Sequence, residues 1–264
     1  MGSVIHMSSN KIEKWEWTAE EQEYQIMVSI PNTPVPAEGF PVMYILDANA
    51  FFTMFTEIAE LQLFQPEKTG ISPLILVGIG YPGEERFHPR RFADFTTPVD
   101  EKNIPSRPDG KPWPESGKAA QFLSVLTEKI QKEIQRKYPI DVRKQTLYGH
   151  SLGGLFALYT LFQKPNSFQN YFVSSPSIWW DQKSILNLEA SFTTKSELKS
   201  PTKLFITAGS EEMAGDIFED SKAMYERRSL NPKINLETEF FAGAGENHMS
   251  NVPAAFSRGL RFLL

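Results

Sequence analysis

The chain contains no cysteine among its 264 residues. Disulfides, thiolate catalysis and cysteine-ligated metal are therefore excluded within it. Long apolar runs are also missing. None approaches the roughly 20 residues that a membrane-spanning helix requires, and no membrane association is expected. Basic clusters are absent: 27 Lys and Arg stand against 32 Asp and Glu, for a net charge of −5. Without a basic stripe, nucleic acid is not an expected partner. Residues 1–10 hold no basic stretch followed by an apolar core, so no secretory signal is read there and a cytoplasmic protein is expected. Histidine is scarce as well, with four in the chain, so each can be weighed individually. No resident metal and no cofactor are expected.

What is present is phenylalanine, 20 residues of it, in a chain that is 41% hydrophobic. That supplies a sizeable, aromatic-rich core. The length suits one α/β domain spanning residues 1–264. Residues 11–18 alternate around Ile12, Trp15 and Trp17, and residues 23–30 place Tyr24, Ile26, Val28 and Ile30 on one side. Both read as strands with one wet face, hence an antiparallel start to the sheet. Continuous apolar runs at 41–46, 74–79, 146–148, 171–174 and 203–208 fit strands covered on both faces, and 236–241 reads as the last strand. Helical spacing marks residues 51–64 (Phe51, Phe52, Phe55, Ile58, Ala59, Leu61, Leu63), 117–138, 152–162, 216–230 and 253–264. Strands alternating with helices predict a mainly parallel sheet with helices on both faces. Ligands bind such sheets beyond the carboxyl ends of the strands. Residues 81–116 show no periodicity and contain Pro82, Pro89, Pro98, Pro105, Pro108, Pro112 and Pro114. A connection that long inside a compact domain reads as a lid or binding loop.

The chain turns on residues 146–155, T-L-Y-G-H-S-L-G-G-L. The end of a buried strand meets Gly149-His150-Ser151-Leu152-Gly153, a G-x-S-x-G match, and a helical run follows at once. The motif alone is weak. Strand, sharp turn and helix around it make it a nucleophile elbow, with the serine hydroxyl exposed at the apex. So tight a turn requires glycine two residues before and two after the serine, Gly149 and Gly153, while Gly154 allows close packing of the helix on the sheet.

A serine hydroxyl is a poor nucleophile without a neutral histidine to take its proton and a carboxylate to hold that ring. His6 lies in the polar start and His88 in the Pro-rich loop. His150 adjoins Ser151 and should point away from it. His248 follows the last strand in a glycine-rich loop, and the order serine, acid, histidine makes it the expected base. The acid must lie between them, after a strand. Glu212 is the first choice, then Glu211, then Asp216 or no acid at all, with Glu246 a weaker candidate. The oxyanion hole is expected from the N–H of Leu152 and from the loop at Asp47-Ala48-Asn49, with Asn49 preferred to Ala48.

The segments Y-I-L-D-A-N-A-F-F, V-G-I-G-Y-P, R-R-F-A-D-F-T, G-H-S-L-G-G and S-P-S-I-W-W, spread over roughly residues 42–248, together resemble the esterase branch of the α/β-hydrolases. Within that branch the chain is most similar to the catecholate siderophore trilactone esterases, of the enterobactin and bacillibactin type. The resemblance implies an α/β-hydrolase fold and a serine esterase. Its expected partner is a small-molecule ester, a catecholate trilactone with or without iron, and any iron belongs to that substrate. It also implies a Ser–His mechanism in which a glutamate is not always needed. A carboxylesterase, an S-formylglutathione hydrolase-like or feruloyl esterase-like enzyme, or an acyltransferase is the alternative. A monomer or weak homodimer is expected. A ferric tris-catecholate is anionic and aromatic, so Arg86, Arg90 and Arg91 in the Pro-rich loop, and Trp179 and Trp180, are candidate contacts. The competing reading pairs the arginines internally with Asp94 and places the tryptophans in the core.

Overall fold

The computed structural model describes residues 10–19, 22–107, 110–195, 198–213, 216–230 and 235–264; His6 lies outside them. Among the described residues the apolar runs become one eight-stranded sheet. In chain order its strands are β1 (Lys11–Ala19), β2 (Gln22–Ile30), β3 (Phe40–Leu46), β4 (Ile75–Gly80), β5 (Ile140–His150), β6 (Asn170–Ser174), β7 (Thr202–Gly209) and β8 (Leu236–Gly243). The helices are α1 (Ala48–Leu63), α2 (Pro66–Thr69), α3 (Arg91–Phe95), α4 (Ala119–Ser124), α5 (Gln131–Lys137), α6 (Leu152–Gln163), α7 (Ile185–Lys195), α8 (Ile217–Ser229) and α9 (Asn251–Leu263). A π turn at Val125–Ile130 joins α4 to α5. None of these helices is long and apolar enough to cross a membrane.

The spatial order is β1-β2-β4-β3-β5-β6-β7-β8. β1 and β2, and β2 and β4, run antiparallel, and the pairs from β4 onward are parallel. This is the expected α/β-hydrolase architecture with an antiparallel start. Period-two alternation sends Val42, Tyr44 and Leu46 of β3 to the face packed by α4 and α6, while Met43 and Ile45 meet α1 and α9 on the other. Because both faces are covered, β3 and β4 are buried at every position. Helix α6 is buried from Leu152 to Phe162, which explains why its sequence is apolar all round.

Three expectations change. The second face of β2 is not wet: Gln25 and Ser29 are buried, Met27 packs into the core, and Ser29 accepts from Asn10 Nδ2 at 3.0 Å. Leu61 leaves the apolar stripe and is 77% exposed. Ten residues beyond Phe51 is about 2.8 turns, which carries it off the buried face. Helix α7 has no counterpart in the pattern read from the sequence. Its buried anchors, Ile185 and Phe192, are sparse, and it is held by tertiary contact with α6, including Phe162 against Phe192 at 5.4 Å between ring centres. The Pro-rich connection keeps an irregular course, but α3 at its centre is drawn inward, with Arg91, Ala93, Asp94 and Phe95 buried.

Candidate active site

The elbow closes where β5 ends. Ser151 has φ 59° and ψ −118°, a conformation that a non-glycine residue holds only when its surroundings enforce it. Three backbone bonds do so: Ser151 N–H donates to Ser174 O at 2.9 Å, and its carbonyl accepts from Leu155 at 2.9 Å and Ser177 at 3.1 Å. The glycine requirement differs from the expected one. A Cβ at Gly149 would run into the Gly153 carbonyl, and one at Gly154 would stand 3.0 Å from the Ser174 carbonyl. At Gly153 the nearest atoms are an ordinary 3.5 Å away, so the strict glycines are 149 and 154. Leu152 opens α6, and its N–H, in the first turn, has no acceptor within the helix.

The second half comes from the ends of β7 and β8, paired in parallel up to Gly209 and Gly243. Ser210 N–H donates to Gly243 O at 2.8 Å and Glu211 N–H to Glu246 O at 2.9 Å, while Gly245 N–H donates to Ser210 Oγ at 2.8 Å. These bonds tie the two loops into one unit. A Cβ at Gly209 would collide with the Glu246 carbonyl. The result is a hydrogen bond of 2.8 Å between His248 Nδ1 and Glu212 Oε2. Glu212's side chain is 2% exposed and that of His248 33%. Burial, the largest single influence, pushes the Glu212 carboxyl up, but the hydrogen bonds with His248, Ser175 and the Gly209 N–H, with the His248 charge, together outweigh it and leave the group below its ordinary range. Glu211 is exposed. Asp216, with its side chain 75% exposed, lies 3.8 Å from Lys183. Of the acids considered, the structure brings Glu212 to the imidazole.

His150 does not face solvent. Its ring is 1% exposed, 4.4 Å from the His248 ring centre, with Nδ1 3.2 Å from Ser174 Oγ. Burial, with the nearby charges of His248 and Arg91, holds it well below the ordinary imidazole range, so it is neutral.

The opposite wall is the β3–α1 loop. Asp47 is left-handed at φ 53°, and both its oxygens accept from Arg91, Nε and Nη2, at 2.9 Å each. Asn49 commits its side chain to the next loop: Nδ2 donates to Tyr81 O and Oδ1 accepts from Tyr81 N–H, both at 2.9 Å. Its backbone N–H stands in the first turn of α1, without an intrahelical acceptor.

Three expected substrate contacts are corrected. Arg91 is 7% exposed and fully engaged by Asp47. Trp180 is 1% exposed and belongs to the core, because its loop folds back under α3 and sets the indole 6.2 Å from Phe92. Arg90 is also held internally, 3.5 Å from Asp94, with its guanidinium 4.5 Å from the Tyr24 ring and 4.8 Å from that of Tyr81. Arg86 is exposed and Trp179 half-buried. Trp179 adjoins Trp113 at 6.2 Å, an aromatic partner that its isolated place in the Pro-rich loop did not reveal. Ser177 was also missed as a site residue, although it lies inside the S-P-S-I-W-W segment.

Comparison with known proteins adds a second line of evidence. The family model described as "Putative esterase" matches residues 18–216. A ferri-bacillibactin esterase, BesA of Bacillus subtilis (strain 168), is 41% identical over 266 residues, covering 100% of this chain and 90% of the relative. A siderophore enterobactin esterase of Emericella nidulans is 34% identical, covering 91% of this chain and 89% of the relative. The crystal structure of a BES protein from Bacillus cereus superposes with a TM-score of 0.92 at 43% identity, over 100% of this chain and 99% of that one.

Proposed function

This chain belongs to the "Putative esterase" family, and on that premise we propose that it hydrolyses the ester bonds of a catecholate siderophore trilactone, with Ser151 as nucleophile, His248 as general base and Glu212 as the carboxylate that orients it. The observation that carries the mechanism is the 2.8 Å bond from His248 to a Glu212 side chain only 2% exposed, at the sheet edge where the elbow presents Ser151. The full-length likeness to a ferri-bacillibactin esterase supports the substrate class.

The chemistry follows from the placement. Glu212 accepts a hydrogen bond from the Nδ1–H and so leaves Nε2 of His248 with its lone pair toward the serine. Ser151 Oγ attacks the ester carbonyl as Nε2 takes its proton. The oxyanion meets the N–H groups of Leu152 and Asn49, both fixed before the substrate arrives. The C–O bond of the ester breaks, His248 returns the proton to the departing alkoxide, and an acyl-Ser151 remains. Water, deprotonated by His248, then releases the acid. In the resting structure the Ser151 hydroxyl meets Ser177 Oγ at 3.2 Å, and its bond to His248 forms as substrate enters. Arg86 and Trp179 are the remaining substrate contacts from the proposed set.

The test is turnover of ferric and iron-free catecholate trilactones beside p-nitrophenyl esters, in wild type and Ser151→Ala. The trilactone is expected to give the higher kcat/KM, because its catechol arms supply binding energy that a small ester lacks. The Ser151→Ala variant is expected to keep its fold and lose both activities. A wild type that prefers the small ester overturns the substrate class, and an active Ser151→Ala overturns the mechanism.

A further inference from the structure

Ser177, inside the S-P-S-I-W-W segment, has no role in the steps above, yet the segment is stitched to the elbow. β6 ends in Ser174, whose carbonyl accepts from Ser151 N–H. Ser175 then takes φ 43°, held there by its N–H bond to Thr207 O at 2.7 Å. This turn brings Ser177 back onto Ser151, where its own N–H donates to the Ser151 carbonyl at 3.1 Å. Trp180 N–H closes the loop on Ser177 O at 3.1 Å, and the buried indole of Trp180 anchors it from below. Ser177 is 1% exposed. Among the described residues its hydroxyl has one hydrogen-bond partner, Oγ of Ser151, at 3.2 Å. A buried hydroxyl is therefore held by main chain on both sides and aimed at the reacting oxygen of the nucleophile.

We infer that Ser177 is a further catalytic residue, whose hydroxyl donates a hydrogen bond to Ser151 Oγ when that oxygen becomes the leaving group in deacylation. The inference rests on the serine-esterase reading above. In the acyl-enzyme, Oγ is an ester oxygen and its hydroxyl proton is gone, so toward Ser177 it can only accept. Water attacks the acyl carbon as His248 takes one of its protons. A new C–O bond forms, the bond from carbon to Oγ breaks, and its electron pair goes to Oγ. His248 then returns the proton to Oγ. While the pair builds up on Oγ, a donor already in place stabilises it without reorganisation, which is how a preorganised hydroxyl contributes to a transition state. Acylation by a p-nitrophenyl ester makes less demand on this donor. The aryl oxide leaves readily, and attack by Ser151 under general-base catalysis puts little charge on Oγ. Loss of the Ser177 hydroxyl is thus expected to divide the two half-reactions, which a purely structural defect would slow together.

The experiment is a single turnover with enzyme in excess over p-nitrophenyl butyrate. Nitrophenol release reads acylation, and intact-protein mass reads the decay of acyl-Ser151. With Ser177→Ala, release is expected to stay near the wild-type rate, while decay of the acyl-enzyme slows by about 10- to 100-fold, the effect of one hydrogen bond to a charged group. Ser177→Thr keeps a hydroxyl and is expected to recover decay, and thermal unfolding of all three proteins checks that each is folded. If the acyl-enzyme of a folded Ser177→Ala decays as fast as wild type, or both half-reactions slow by the same factor, Ser177 has no such role and the esterase reading stands. If wild type forms no acyl-Ser151 while turning over ester, the covalent mechanism fails and takes the role of Ser177 with it.

Discussion

Arg91→Met tests whether the arginine next to the site serves the substrate or the fold. The wild-type side chain makes two bonds of 2.9 Å to the two oxygens of Asp47, and the pair is 9% and 1% exposed. Methionine fills much of the space but strands the Asp47 carboxylate without a counter-charge. Removing one partner of a buried pair costs about 3–5 kcal/mol. At roughly 2–4 °C per kcal/mol for a chain of this size, the melting temperature should fall by about 6–20 °C. Arg91→Lys keeps the charge but not the two-pronged geometry, so its loss should be intermediate. Adding Asp47→Asn to Arg91→Met should recover part of the stability, because the stranded charge is gone. The assay is thermal unfolding by circular dichroism, with kcat/KM measured on a catecholate trilactone and on p-nitrophenyl acetate. Asp47 precedes the Asn49 N–H by two residues, so activity should fall by the same factor on both substrates. An Arg91→Met protein with unchanged melting temperature and a selective loss of trilactone turnover would refute this reasoning.

Four further outcomes are expected. Glu212→Gln offers an N–H to His248 Nδ1 and so favours the wrong tautomer; kcat should drop by about 100- to 10,000-fold, while Glu211→Gln stays near wild type, and equal rates for all three would mean a dyad. Glu212's folded pKa lies below its ordinary 4.5, so its stabilisation is complete above pH 4.5 and disappears as pH falls through the folded value; Glu212→Gln should lack that component in acid unfolding curves. The buried, neutral His150 has a folded pKa well below its ordinary 6.5, so the unfolded chain binds the proton first and stability should decline as pH falls below 6.5, by up to about 1.4 kcal/mol per pH unit. His150→Phe, which keeps a ring against His248, should flatten that slope in melting temperatures taken from pH 7 to pH 5; an unchanged slope would assign it to other groups. Trp180→Ala should cost about 3–5 kcal/mol in urea unfolding as a core truncation, and the half-buried Trp179→Ala much less; the reverse order would place Trp180 at the surface.

The parts of this protein that were legible in its sequence are those set by local geometry. The elbow declared itself because a Cβ at Gly149 cannot coexist with the Gly153 carbonyl, and because a buried strand and an apolar helix flank Ser151. The parallel strands were visible because burial on both faces leaves an unbroken apolar run. Chain order on such a sheet was enough to pick His248, of four histidines, as the one expected to meet a carboxylate, and it does meet Glu212. Long-range contacts decided the rest. Glu211 and Glu212 are adjacent and chemically alike, and only the stitching of the β7 and β8 loops turns Glu212 onto His248. The pairs Arg90–Arg91 and Trp179–Trp180 look like exposed binding groups in a proline-rich or loop context. They divide in space, since α3 folds inward and brings Arg91 to Asp47, 44 positions away, while the same packing buries Trp180 and leaves Trp179 half open. Ser177 and Ser151 stand 26 positions apart, and no periodicity links them. They meet because β5 and β6 run parallel side by side and both end at one edge of the sheet. Side-chain pairing between loops carries no local pattern, so it becomes visible only when the strands beneath those loops have been placed.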